Sequence, residues 1–140
     1  MTRPNLHHVG FAVKDVEEAC AYYVNVYGYD ICSPVVHDVT QTAMAQFLRL
    51  PGDKTFIELV APDGPGSTLT GAIAKGGGLN HLCFLTDDIE HSFVQLQEKG
   101  LIALCAPVLA SAFKGRKIAW VLDRGRTPIE LLERGLPGEL

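Results

Sequence analysis

Short apolar runs alternate with amphipathic stretches along this chain. Residues 9–13 form an apolar run of strand length, and Asp15 with Glu18 three residues on has the spacing of a helix N-terminal capping box. Val16, Ala19, Cys20, Tyr23, Val26 and Tyr27 then recur at steps of three and four, which makes one apolar helix face, and Gly28 stands where a left-handed C-cap is wanted. Extended segments follow over 29–36, 42–50 and 55–60, with Pro51-Gly52-Asp53 as a turn. The same helix logic returns with Asp88, Ile89, Ser92, Phe93, Leu96 and Gly100.

That return is an internal repeat. Leu6-His7-His8-Val9-Gly10-Phe11-Ala12-Val13 lies over Leu79-Asn80-His81-Leu82-Cys83-Phe84-Leu85-Thr86 at an offset of 73 residues, and Cys32-Ser33-Pro34 lies over Cys105-Ala106-Pro107 at the same offset. Gln46-Phe47-Leu48 matches Ala119-Trp120-Val121, and Phe56-Ile57-Glu58-Leu59-Val60 matches Pro128-Ile129-Glu130-Leu131-Leu132 at 72. The reading is one α+β domain over 1–140, built from two βαβββ modules at about 6–62 and about 78–134. A linker at about 63–77 holds a short helical pattern before Gly76-Gly77-Gly78. A four-stranded module with one helix leaves its other face apolar, so the two modules are expected to build an eight-stranded half-open barrel with a shared cleft.

The repeat also selects chemistry. His8 matches His81 on the first strand of each module, and Glu58 matches Glu130 on the last. Glu58 lies between Ile57 and Leu59, and Glu130 between Ile129 and Leu131, so each carboxylate sits in an apolar strand where an unpaired charge is costly. Two imidazoles and two carboxylates suit zinc, nickel, cobalt, manganese or iron and leave positions open for substrate. A lone histidine or strand glutamate has blander explanations, and the symmetry of the quartet argues against them. His7 alternates to the face opposite His8, as a supporting or surface residue. His37 and His91 have no counterpart in the repeat, and capping accounts for Asp88 in Asp87-Asp88.

Composition narrows the class. The 140 residues are 47% hydrophobic, enough for a core, and carry a net charge of -4 with no basic run, which excludes a nucleic-acid backbone as main partner. No apolar stretch reaches the roughly 20 residues of a membrane helix, and nothing behind Arg3 resembles a signal peptide, so a cytoplasmic, soluble protein is expected. Cys20, Cys32, Cys83 and Cys105 match neither a metal knuckle nor a secreted disulfide framework and are read as reduced and buried.

Over residues 6 to 134 this pattern resembles the vicinal oxygen chelate superfamily, the group of glyoxalases, bleomycin-resistance proteins and extradiol dioxygenases. Gly78-Leu79-Asn80-His81, Gly115-Arg116-Lys117-Ile118-Ala119-Trp120 and Ile129-Glu130-Leu131 are most similar to the methylmalonyl-CoA epimerase family, with glyoxalase I next. The resemblance implies metal ligands at His8, Glu58, His81 and Glu130, with the ion stabilising an enolate of a small carbonyl or acyl-thioester substrate and Glu130 as proton shuttle. It places the second acid/base position of the epimerase at Gln46, an amide, and lets Lys114, Arg116 and Lys117 meet the phosphates of CoA or another carrier. A homodimer is expected. The alternatives are a lactoylglutathione lyase, although the first-strand Arg of glyoxalase I is absent from the stretch holding Phe11 and Val13, and a metal-free antibiotic-binding protein.

Overall fold

The residues with capping spacing do the capping: Asp15 Oδ1 accepts the Glu18 N–H at 3.0 Å, and Asp88 Oδ1 accepts the His91 N–H at 3.0 Å. The computed structural model describes Met1 and residues 3–140. Its element order is β1 (Asn5–Ala12), α1 (Val16–Tyr27), β2 (Asp30–Ile31), β3 (Val36–Asp38), β4 (Ala43–Arg49), β5 (Phe56–Pro62) and α2 (Thr70–Ala74), then β6 (Gly78–Thr86), α3 (Ile89–Glu98), β7 (Ile102–Leu109), a 3-10 turn at Ser111–Phe113, β8 (Lys117–Leu122) and β9 (Pro128–Glu133). Gly28, at φ 79°, closes α1 in the left-handed conformation and places its N–H on the Tyr23 and Val24 carbonyls. None of the helices among the described residues is long and apolar enough to cross a membrane.

The chain divides into two units, His8–Asn80 and Met1–His7 with His81–Leu140. In the first, β1 runs parallel to β5, β5 antiparallel to β4, and β4 pairs with both β2 and β3. The second repeats the plan, with β6 parallel to β9, β9 antiparallel to β8 and β8 antiparallel to β7. In each unit one sheet face receives the helix: Leu48, Leu59 and Ala61 pack on Val16 and Cys20 of α1, and Ala119 and Leu131 pack on Ile89 of α3. A buried hydroxyl pair, Thr86 with Ser92 at 2.5 Å, ties β6 to α3. The other face is left to side chains of different chemistry.

Two expectations are corrected. The segment 29–36, expected as one strand, is cut into β2 and β3, which makes nine strands among the described residues rather than eight. The cause is Ser33-Pro34. Pro34 has no N–H to give, and the Ser33 hydroxyl takes the Phe47 N–H at 3.0 Å in place of a backbone carbonyl. In the second module β7 continues through Pro107, absorbing it as register shifts between Ala103 and Val108. The cysteines are only partly as expected. Cys20 and Cys83 are buried but Cys32 and Cys105 are half-buried, and no disulfide joins the four.

Backbone geometry is tightest at Gly77. Its φ is +70°, and a Cβ there would lie 2.6 Å from the Ala12 carbonyl oxygen, a backbone atom that cannot swing aside. Replacing Gly77 by Ala is expected to cost about 2 kcal/mol or more. Gly66, where an added Cβ would meet nothing within 4 Å, serves as the control. A denaturation midpoint for Gly77→Ala equal to that of Gly66→Ala would contradict the clash.

Candidate functional site

On the face away from α1, parallel pairing places Gly10 of β1 beside Glu58 of β5, so a glycine rather than a side chain adjoins the carboxylate. Glu58 Oε1 lies 3.3 Å from His8 Nε2. In the second unit Cys83 of β6 adjoins Glu130 of β9, and Glu130 Oε1 lies 3.7 Å from His81 Nε2. All four side chains are buried, with relative exposures of 0% for His8, 7% for Glu58, 3% for His81 and 4% for Glu130. Separations of 3.3 and 3.7 Å are long for a charge-assisted hydrogen bond. The 3.3 Å separation fits donors sharing an ion, since two atoms each about 2.1 Å from a metal stand about 3.0 to 3.4 Å apart at right or tetrahedral angles, and the 3.7 Å separation lies a few tenths of an ångström beyond that range. The donor set therefore fits a divalent cation, and a cation would offset the cost of burying each carboxylate.

Sequence reasoning passed over a third symmetric pair. The Phe47 ring meets His8 edge-to-face at 5.2 Å, and the Trp120 ring meets His81 edge-to-face at 5.0 Å. Phe47 is the register partner of Glu58 and Trp120 the register partner of Glu130, so each aromatic stands on the carboxylate's own face and walls its imidazole. The match of Phe47 to Trp120 in the repeat was the available signal; aromatic residues in strands read as core.

Gln46 is not brought to this face. It pairs with Leu59, so its side chain points to the helix side, where Nε2 donates to the Ser33 carbonyl at 3.1 Å. The amide is a clip that holds the broken segment against β4. Gln46→Glu would exchange that donor for a carboxylate facing a carbonyl at a position only 7% exposed, and a loss of about 2 kcal/mol is expected. An unfolding midpoint for Gln46→Glu equal to that of the unchanged protein would contradict the clip.

The basic loop is divided in its commitments. Lys117 Nζ is held by Glu90 at 2.7 Å, which lowers the Glu90 carboxyl and raises the Lys117 amine from their ordinary ranges. Arg116 donates Nε to the Glu133 carbonyl at 2.9 Å and stacks on Phe113, while Lys114 lies exposed in a left-handed turn, φ 37°. His7 is buried with its ring against Phe113 at 6.0 Å, which removes its surface reading. His37 pairs with Asp63 at 2.9 Å, and His91 is exposed on α3. Asp87 is ion-paired to Arg134 at 2.8 Å and Arg3 at 2.6 Å, and these guanidinia hold its carboxyl below the usual range.

Residues 7–120 match the family model of the glyoxalase/bleomycin resistance protein/dioxygenase superfamily. The chain belongs to that superfamily. Among curated members it is 38% identical over 100 residues to an ethylmalonyl-CoA/methylmalonyl-CoA epimerase of Cereibacter sphaeroides, covering 68% of this chain and 70% of that one. It is 32% identical over 112 residues to the mitochondrial methylmalonyl-CoA epimerase of Homo sapiens, covering 76% of this chain and 60% of that one. The crystal structure of methylmalonyl-CoA epimerase from Mycobacterium tuberculosis superposes with a TM-score of 0.82 at 24% identity, over 94% of this chain and 88% of that one, so the fold is glyoxalase-like. These superfamily relatives are isomerases, and the buried His/Glu pairs suit the divalent-metal chemistry of the family.

Proposed function

We propose that this superfamily member is a cytoplasmic, homodimeric epimerase of a 2-alkylmalonyl-type acyl-CoA, with one divalent ion held by His8, Glu58, His81 and Glu130. The observation that carries the reading is the buried His/Glu pair that each module supplies, four donors of a kind that could hold one ion. Names of the curated relatives supply the substrate class. A bound divalent ion contributes positive charge where the thioester enolate develops.

The chain's own residues do the rest. Glu130 takes the proton from the carbon between the two carbonyl groups, because a carboxylate seated beside the reacting carbon is a base held in place. Epimerisation also needs a proton delivered to the opposite face. Gln46 faces the helix side. Glu58, the repeat's counterpart of Glu130, is assigned that step: it starts as the carboxylic acid, gives its proton to the opposite face and ends as the carboxylate, while Glu130 ends protonated. Phe47 and Trp120 fix the imidazole planes and keep water from the carboxylates' flanks. Lys114 and Arg116 are assigned to the anionic end of the substrate.

Two measurements test this. Metal analysis of purified protein should find close to one equivalent of a divalent ion, and deuterium from solvent should enter methylmalonyl-CoA or ethylmalonyl-CoA but not a glutathione hemithioacetal. Exchange into the hemithioacetal alone would move the reading to a lactoylglutathione lyase, and exchange into neither would remove it. Sedimentation at micromolar concentration tests the dimer separately.

A further inference from the structure

Around Glu58 the sheet face of the first unit is lopsided. Phe56, two residues before it on β5 and on the same face, is the register partner of His8. The Phe47 ring lies 6.1 Å from that of Phe56 and 5.2 Å from that of His8, so aromatic rings fill this side. On the other side the next residue of the face is Val60, paired with Ala45 of β4 and Ala12 of β1, about 7 Å along the strands. The fold does not demand small residues there. Gly10, Ala12, Ala45 and Val60 lie over Cys83, Leu85, Ile118 and Leu132 in the repeat, and Leu132 pairs with Leu85 and Ile118 as Val60 pairs with Ala12 and Ala45. At each of the four positions the first unit has the smaller side chain.

The small row is covered by α2. Leu69, Ala72 and Ile73 pack on Ala12, Ala45 and Val60, yet all three stay half-buried, so each presents surface beyond that contact. Hydroxyl groups fix where the helix sits. The buried Ser67 Oγ donates to the Thr42 carbonyl at 2.6 Å and accepts the Leu69 N–H at 3.1 Å, and Thr42 Oγ1 accepts the Thr68 N–H at 2.9 Å. Thr42 immediately precedes β4, so the entry to α2 is clamped to the strand that carries Ala45 and Phe47.

We propose that α2 is the wall that limits the 2-alkyl group of the substrate, with Leu69 and Ile73 as the specificity-determining side chains. This rests on the epimerase reading, in which Glu58 serves the carbon that bears the alkyl group. An apolar substituent on that carbon is placed at least cost over Gly10 and along the Ala12–Ala45–Val60 row, where it covers apolar surface and strips no polar group of water. That row ends at α2. A short alkyl group stops before the wall, and a longer chain has to displace Leu69 or Ile73 against the Ser67–Thr42 clamp.

The test follows methylmalonyl-, ethylmalonyl- and butylmalonyl-CoA by solvent-deuterium exchange and, separately, by equilibrium binding to the metal-loaded full chain. The variants are Leu69→Ala, Ile73→Ala and Ala72→Leu, with Val26→Ala, at a residue 55% exposed on α1, as control. Wild type and Val26→Ala should accept methyl and ethyl groups and discriminate against butyl. Leu69→Ala and Ile73→Ala are expected to raise the butylmalonyl to methylmalonyl ratio of kcat/KM about tenfold, with a parallel gain in butylmalonyl-CoA affinity. Ala72→Leu thickens the wall and should lower ethylmalonyl-CoA turnover and binding more than methylmalonyl-CoA, so the proposal is read in both directions. Ratios within twofold of wild type in all three wall variants, or an equal shift in Val26→Ala, would overturn the wall. The expected shifts in binding, in a protein that exchanges none of the three substrates, would overturn the proposed reaction and leave the wall standing. Neither exchange nor size-dependent binding would overturn both.

Discussion

Replacing Glu130 by Gln is expected to slow exchange of the substrate's acidic C–H with solvent by about 10²-fold or more, while metal content falls much less. The amide keeps the size of the carboxylate and one oxygen donor, so it remains a weak ligand, but it cannot accept a proton. The separation of the two effects is what identifies the base. If metal were lost in proportion to activity, Glu130 would be a ligand only; equal exchange in wild type and Glu130→Gln with the ion fully loaded would place the base elsewhere. Glu58→Gln makes the complementary measurement. With Glu130 intact, deuterium should still enter on one face while epimerisation drops, so the ratio of exchange to inversion rises.

Stripping the ion with a chelator is expected to lower exchange by about 10³-fold, the scale of several kcal/mol of enolate stabilisation. It should also destabilise the fold, because an ion that binds only the native state contributes about 4 kcal/mol when present at a thousand times its dissociation constant. Without it, Glu58 and Glu130 are carboxylates held at 7% and 4% exposure without that charge. Trp120, the chain's single tryptophan, reports the return of the ion, since its ring is 5.0 Å from that of His81. Adding cobalt or nickel to the stripped protein should quench its fluorescence and restore the unfolding temperature together. Chelated protein that retains its activity and its melting temperature would dispose of the metal centre.

The capping aspartates, the helix faces and the two-module plan were legible in the chain because each depends on residues close in sequence. A cap is a hydrogen bond over three residues, an apolar helix face a spacing of three and four, and the repeat a direct match of residue types. The pairing of His8 with Glu58 and of His81 with Glu130 joins residues about 50 positions apart, and what pointed to these four was the symmetry of two copies rather than any local motif. Tertiary structure decided what depended on register and on distant partners. Gln46 reads as an acid/base position until the β4–β5 pairing sets it opposite Leu59, because side chains alternate and a change of one residue in register exchanges the faces. The break at Ser33-Pro34 depended on a hydroxyl meeting the Phe47 N–H, whereas Pro107 in the equivalent segment was absorbed without a break. Lys117 and Arg116 read as equal charges in one loop, and only folding gave the first to the Glu90 carboxylate and the second to the Glu133 carbonyl.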